Sequence, residues 1–371
     1  MGTVGGPLAI GHGHPRVTAG RGDGEEAGYD AFPRQHWIDR GRPDADGPGS
    51  TVPGSDGALA SEAARGGPVD PDEVRDVYLP LARWIEQQLA EQRRSSSAAD
   101  GGGRPTTTVI GITGSVAAGK TTTARVLTRL LRWGPARPTV DLLATDGFLF
   151  PNRVLEQRGL LNRKGFPETY DHPALAAALD TVRSGQTEVA VPVYSHARYD
   201  IVPGEVQWIR RPDLLVVEGL TVLQGAPGGG SEAGTGGVQE DGTGPLVDLA
   251  VYVDADEKSL LLWHTNRLLG LRAEGAGRVG GAAEPTGFLS WLTSLSDAEA
   301  HQVAASSWSE VNLVNLRDHV APTRGRADVI LEKDHDHRVR RVLVRRGTDP
   351  SGSIRAARAR SGSRSGPPRH G

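Results

Sequence analysis

The chain predicts an α/β fold: a mostly parallel sheet with helices on both faces. Three observations carry this expectation. Short apolar runs recur at Val109–Ile112, Val140–Leu143, Val189–Val191, Leu214–Val217, Leu249–Tyr252 and Val329–Leu331, each the length of a buried strand. Helical segments separate several of them, notably Thr121–Arg132 and Pro173–Arg183. Val339–Arg345 then alternates apolar and basic residues, which suits a half-exposed final strand.

Ahead of this body, residues 1 to about 68 are rich in Gly, Pro, Asp and small side chains. Such a stretch buries too little apolar surface to offset its ordering entropy, and most of it is expected to be disordered. Within it, Phe32–Ile38 is an island whose two aromatics, Phe32 and Trp37, are expected to dock on the folded part. Asp70-Pro71-Asp72-Glu73 reads as a helix start, with Asp70 as N-cap, Pro71 at the first helical position and Glu73 completing a capping box. Val74, Val77, Tyr78, Leu81, Ile85 and Leu89 share one face of that helix, and Pro80 is expected to kink it. Ser95–Gly103 reads as a flexible linker, residues 225–245 as a Gly-rich insertion, and residues 347–371 as a disordered basic tail. The folded catalytic body is thus expected to span residues 69–346.

Composition narrows the possible functions. The 371 residues carry a formal charge of −3, which points neither to nucleic acid nor to an anionic membrane. With no cysteine, a disulfide framework, a thiolate nucleophile and a Cys-ligated zinc are excluded. No apolar run is long enough to span a membrane, and Met1–Pro7 lacks the pattern of a secretory signal, so a cytoplasmic address is expected.

The clearest chemistry lies at Gly114-Ser115-Val116-Ala117-Ala118-Gly119-Lys120-Thr121, followed by Thr122. The segment fits G-x-x-x-x-G-K-[ST], with a strand before it and a helix after it. Glycines let backbone N–H groups wrap a phosphate, Lys120 supplies a point charge, and the Thr121 hydroxyl suits a magnesium ion. A P-loop NTPase-type sheet follows. Asp146 comes directly after the Val140 strand, where ligands sit in open α/β sheets. It reads either as a proton acceptor or metal-positioning group, or as part of an Asp-Gly turn. Glu218 ends the Leu214 strand with the same ambiguity, and a magnesium-shell role would suit it. Tyr194, His196, Arg198 and Tyr199 cluster after a strand as a substrate-facing loop. Arg267 lies on a basic helix that could present it to a transferring phosphate, although the residues alone favour an ordinary solvated face. His335 and His337 lack the supporting ligands of a metal site.

Taken together, several strings resemble the bacterial type I pantothenate kinases. They are Gly111–Val126, Thr145–Leu149, Arg163–Glu168, Pro192–His196 and Glu218–Leu220, with Asn312, Asn315-Leu316 and Pro322–Ala327 near the end. The resemblance covers Phe32–Ile38 and then Asp70–Arg346, with the motifs in the right order. It implies phosphorylation of pantothenate at its terminal hydroxyl by MgATP, the first step toward coenzyme A. Carried over, Lys120 and Arg267 would stabilise the transferring phosphoryl group and Asp146 would accept the hydroxyl proton. Tyr194, His196, Tyr199 and Asn312 would line the substrate or inhibitor pocket. Arg125 would meet phosphates of coenzyme A, a feedback inhibitor competing with ATP, while Lys333 and His337 would lie near the adenine. A homodimer is also implied.

The departures from the family gather on the acceptor side. His264 stands where its pocket has a tyrosine, Leu268 and Leu271 replace aromatics, and Gly287 replaces another tyrosine. Ala273–Pro285 is longer and richer in Gly. The ATP half is therefore expected to be intact and the acceptor half remodelled, with weaker or altered inhibition by coenzyme A. Two other readings are a uridine-kinase-like or phosphoribulokinase-like enzyme acting on another hydroxyl, and a non-catalytic nucleotide-binding protein. Lys120, Asp146 and Arg267 argue against the second, since a pure binder needs no proton acceptor.

Overall fold

Among the described residues nine strands set the architecture: β1 (Tyr29–Pro33), β2 (Thr108–Gly114), β3 (Val140–Ala144), β4 (Val189–Ser195), β5 (Asp200–Ile209), β6 (Leu214–Glu218), β7 (Leu249–Asp254), β8 (Val329–Lys333) and β9 (Val339–Arg345). They belong to a computed structural model that describes residues 27–40, 55–65, 67–97, 107–134, 137–224, 246–276 and 288–347. The expected Gly-rich insertion, nearly all of the basic tail and Gly287 lie outside those residues.

Seven strands form one sheet in the order β1-β9-β8-β7-β2-β6-β3. The five from β8 to β3 are parallel, β9 runs antiparallel to β8, and β1 runs antiparallel to β9 at that end. Apolar runs without alternation mark strands covered on both faces, and β6 is buried at every position. The Lys120–Arg132 helix packs on β2, β3 and β6 through Ala124, Leu127 and Leu131. β2 is the first of the parallel strands in the chain yet sits between β7 and β6: β3 and β6 lie to one side of it, and the chain then crosses to β7 on the other. That topological switch opens a crevice beyond the carboxyl ends of the strands.

The first strand and its neighbours belong to the core. Trp37, in the Arg34–Arg40 helix, is buried and donates its indole N–H to Val77 O at 3.1 Å. Phe32 packs beside it, with ring centroids 5.9 Å apart, so the aromatic island docks as expected. Ser55–Ala64 forms a helix whose Ala60 and Ala63 are buried, although this stretch carries no periodic signal. Small side chains allow close approach where a larger apolar stripe would have advertised itself.

Two expectations need correction. Asp70 caps its helix by accepting from Asp72 N–H, and Pro71 occupies the first turn, but Glu73 does not close a capping box. Its carboxylate instead accepts from Val339 N–H at 2.8 Å and pairs with Arg34, tying this helix to β9. The run from Pro71 to Ser97 continues through Pro80 by way of a π turn, Val74–Tyr78, in which Leu79 N–H donates to Val74 O. The wider turn accommodates a residue with no N–H to give. Finally, Val189–Val191 does not join the parallel sheet. β4 pairs antiparallel with β5 in a separate hairpin, with a register shift between Pro192 and Tyr194, and the expected loop is that hairpin's tip.

Trp37→Ala should therefore cost about 3–5 kcal/mol of stability, the usual loss for a buried aromatic. Denaturant unfolding reads this directly, and a loss under ~1 kcal/mol would mean that β1 and its helix are not integral to the core.

Candidate active site

The phosphate loop is set by two backbone positions. Gly114 ends β2 at φ +141°, and a Cβ there would fall inside contact distance of the Val253 carbonyl on β7. Gly119, at φ +95°, precedes the Lys120–Arg132 helix with no side chain capping its first turn. The first-turn N–H groups are thus left for an anion. Ser115, Val116, Ala117 (φ +64°) and Ala118 make the curve between, and Thr121 and Thr122 open the helix. Lys120 Nζ folds back to donate to Ser115 O at 2.8 Å. Lys333, from the end of β8, brings its ammonium against Gly119, 2.7 Å from where a Cβ would stand.

The two carboxylates reach this loop from neighbouring strands. Glu218 is the last residue of β6 and accepts from the Thr121 hydroxyl at 2.9 Å. Asp146 lies in the one-turn helix Thr145–Phe148 directly after β3. Burial lowers the Lys120 pKa and raises that of Glu218, while the attraction between them opposes both shifts. The charge of Asp146 also favours the Lys120 ammonium. A hydroxyl and a carboxylate with room for phosphate oxygens fit a magnesium ion, which keeps several waters and takes few protein ligands.

Asp146 is held from behind. Tyr170 is buried and its phenol points to Asp146 Oδ1 at 3.4 Å. Burial and the Asp146 charge hold that phenol well above its ordinary pKa, so it serves as the donor. Backbone bonds from Phe150 N to Thr169 O and from Asp171 N to Phe148 O lock the two segments together. On the other side, Thr145 packs against Gly219, where a Cβ would collide with its hydroxyl.

The hairpin tip faces the same crevice. Tyr194 and His196 meet edge to face at 5.2 Å. Burial lowers the His196 pKa; the charge of Asp146 opposes this, and Arg267, Lys120 and Arg125 reinforce it. Those couplings bring Arg267 and Arg125 into one cluster with Lys120 and Asp146. Tyr199, at φ +55°, stacks on Phe288 at 5.0 Å. His264 and Asn312 join through Ser307: His264 Nε2 lies 2.8 Å from its Oγ, and Asn312 Nδ2 donates to its carbonyl at 3.2 Å. Leu268 and Leu271 pack with Leu292, Ala300 and Ala304 in an apolar cluster separate from the main core. Away from the hairpin, the His337 ring lies flat on Trp263, with centroids 3.6 Å apart, and its pKa is pushed down to about 4 by burial and Lys333.

Sequence reasoning left four contributors without a role: Lys164, Tyr170, Phe288 and Ser307. Lys164 sits within a quoted motif, yet its surroundings come from distant segments. Its ammonium donates to Asn152 Oδ1 and Tyr199 O, both at 2.6 Å, and lies 4.3 Å from the Tyr199 ring centre and 5.0 Å from that of Tyr194. Burial lowers its pKa to about 8, against the pull of Asp200 and Asp146.

Two outcomes follow from this geometry. Gly219→Ala should displace the Asp146 turn and lower kcat at least ~10-fold, since a 1 Å misplacement costs about 10²-fold elsewhere; an unchanged kcat would show the turn is not so constrained. Lys164 is a cation below about pH 8 and neutral above it, so activity should fall as pH rises through that value. Lys164→Arg should remove this basic limb, because a guanidinium stays charged to about pH 12 and beyond. A pH–rate profile identical to that of the unmodified protein would exclude Lys164 as its source.

Comparison with known proteins agrees with the geometry. Residues 109–273 match the family model described as the Phosphoribulokinase / Uridine kinase family. A pantothenate kinase from Parvibaculum lavamentivorans is 41% identical over 300 residues, covering 80% of this chain and 88% of its own. One from Bradyrhizobium sp. (strain BTAi1) is 43% identical over 328 residues, covering 86% and 96%. Among solved structures, a D-glycerate 3-kinase from Cryptococcus neoformans has a TM-score of 0.46 at 16% identity, covering 70% of this chain and 96% of its own. At that identity and coverage to its curated relatives, with a P-loop built on a mostly parallel sheet, the chain belongs to the pantothenate kinase family.

Proposed function

We propose that this protein transfers the γ-phosphoryl group of ATP to the terminal hydroxyl of pantothenate, the first step toward coenzyme A. The observation that carries the reading is the convergence of Lys120, Asp146, Glu218 and Arg267 at one end of the sheet. Relatives that match both the nucleotide and the acceptor halves of the chain support pantothenate over the uridine or ribulose acceptors of the wider family.

In this reading the acceptor hydroxyl oxygen attacks the γ-phosphorus, its proton passes to Asp146, and ADP leaves. Asp146 afterwards returns the proton to solvent. Tyr170 holds one carboxylate oxygen, leaving the other for that proton. Lys120 leaves the Ser115 carbonyl for the phosphates, and Arg267 adds charge where negative charge develops. Magnesium, held by Thr121 and Glu218, would neutralise phosphate charge. Lys333 and the Trp263–His337 stack form the adenine side, with His337 neutral at physiological pH. Gly114 to Thr122 cradle the phosphates. Tyr194, His196, Tyr199, His264 and Asn312 line the acceptor pocket, and Arg125 is placed for an anionic inhibitor.

Residues 69–346 are read as the catalytic body, joined by β1 and the Trp37 helix. Among the described residues no helix is long and apolar enough to cross a membrane, and a cytoplasmic homodimer is the reading we adopt. Inhibition by coenzyme A should be weaker than in relatives with an aromatic wall, since each missing ring removes about 150–250 Å² of burial.

ADP release with Mg²⁺, ATP and pantothenate, beside a panel of nucleosides and sugar alcohols, tests the assignment. Pantothenate-dependent turnover is expected, and its absence from well-folded protein would remove the reading. Asp146→Asn should depress kcat by at least ~10²-fold if it is the base, and Lys120→Met should weaken transfer to any acceptor. Coenzyme A titrated into the same assay should inhibit poorly; inhibition as tight as in aromatic-walled relatives would contradict the remodelled wall.

A further inference from the structure

Besides its strands, the Lys120–Arg132 helix packs against elements from the N-terminal part of the chain: the Val74–Tyr78 π turn, the Ser55–Ala64 helix and the Leu79–Ser97 helix. Polar links join it to two of them. Tyr78, the last residue of the π turn, brings its hydroxyl 3.3 Å from Thr123 Oγ1, and both side chains are buried. Further along the helix, Arg129 donates to the Ala63 and Arg65 carbonyls, at 2.9 and 2.5 Å. The Tyr78 link enters the bonding of the phosphate loop itself. Thr123 N–H donates to Gly119 O at 2.9 Å and so closes the turn that carries Lys120, Thr121 and Thr122. Behind Tyr78, the Trp37 indole donates to the carbonyl of the adjoining Val77 at 3.1 Å. Hydrogen bonds, with one step of backbone between them, thus run unbroken from the Arg34–Arg40 helix to the last glycine of the phosphate loop. The π turn is what places Tyr78 at the junction, and such turns often mark functional positions.

We propose that Tyr78 is a positioning residue for the nucleotide: through Thr123 it fixes the first turn of the phosphate-loop helix, so that the N-terminal layer of the fold sets the affinity for ATP although neither residue belongs to the loop. The inference rests on the reading of Gly114–Thr122 as the ATP phosphate site and adds to it a support from outside the sheet. Either hydroxyl can donate in this pair, and the link holds in both cases. A slide or rotation of the first turn moves its N–H groups, Lys120 and Thr121 as one body. It weakens the hold on the phosphates equally before and during transfer, so the loss falls on nucleotide binding and spares kcat.

Calorimetric titration of MgADP into the full-length protein reads this without any turnover. Tyr78→Phe and Thr123→Val each remove one hydroxyl and keep the shape of the side chain. Each should weaken MgADP binding about 5-fold, the scale of one net hydrogen bond. Because both break the same link, the double variant should also lose about 5-fold, against about 25-fold for independent sites. Thr123→Ser keeps a hydroxyl and should stay within about 2-fold of the unmodified protein. In steady-state kinetics, KM for pantothenate and kcat at saturating ATP should stay within about 2-fold in every variant. Unchanged MgADP affinity in either single variant, an additive double variant, or a pantothenate KM that rises in step would overturn the proposal. If Tyr78→Phe does not fold, Thr123→Val and Thr123→Ser decide from the other side of the link, and equal MgADP affinities in these two would overturn it. Absence of pantothenate turnover by the unmodified protein would instead remove the acceptor assignment, and the MgADP titrations would still decide the role of Tyr78.

Discussion

Everything in the site depends on how the chain leaves β2. Gly114 pairs in register with Val253 of β7, so close to its carbonyl that no side chain fits between. That passage sets the direction of the phosphate loop and hence where the next helix begins. The pairings on the other side of β2 do the rest. Ile112 is level with Glu218, and Glu218 is level with Ala144. Thr121, Glu218 and Asp146 therefore arrive at one height above the sheet because three parallel strands share a register. A side chain at Gly114 would lift the loop, and the level would be lost.

The register brings like and unlike charges into a partly dry crevice, where each charged group would be costly alone. An isolated buried ion costs several kcal/mol even after relaxation. Glu218 and Asp146 lessen that cost for Lys120, and Lys120 lessens it for Glu218, whereas Arg267 repels Lys120 and Asp146 repels Glu218; the Lys120 ammonium also borrows the Ser115 carbonyl as an acceptor. An arrangement whose charges balance only partly suits phosphoryl transfer, since the incoming phosphates supply the missing negative charge. Tyr170 and Gly219 matter in this light as props: both keep the Asp146 turn from relaxing toward the surrounding cations.

The parts that were legible in the sequence are those whose physics is local. Strands β2, β3, β6, β7 and β8 announced themselves by short, largely apolar runs, and the phosphate loop by the spacing of Gly114, Gly119 and Lys120. Glu218 and Asp146 could be placed at strand ends, though only the pairings made them neighbours. What stayed hidden was non-local. The pattern at Val189–Val191 indicates a strand without saying which sheet it joins. Glu73 satisfies the capping-box spacing, yet Val339 N–H and Arg34, far along the chain, claim its carboxylate. Lys164 takes its partners from Asn152 and Tyr199, and Tyr170 reaches across to Asp146, so neither role could be read from its own motif.

The acceptor wall shows how a departure can be legible while its consequence is not. His264 is conspicuous because a tyrosine is expected there, but its half-buried ring pairs with Ser307, which lies on another helix. The same two helices and the Phe288–Ser294 helix share the small apolar cluster of Leu268, Leu292, Ala300 and Ala304, which is separate from the core beneath the sheet. Substitutions there repack a local unit and leave the strand register, on which Lys120, Asp146 and Glu218 depend, untouched. On the proposed reading, that separation would let the acceptor side change without disturbing phosphoryl transfer. Transfer geometry would then follow from the sheet, and acceptor choice from helices packed around their own small core.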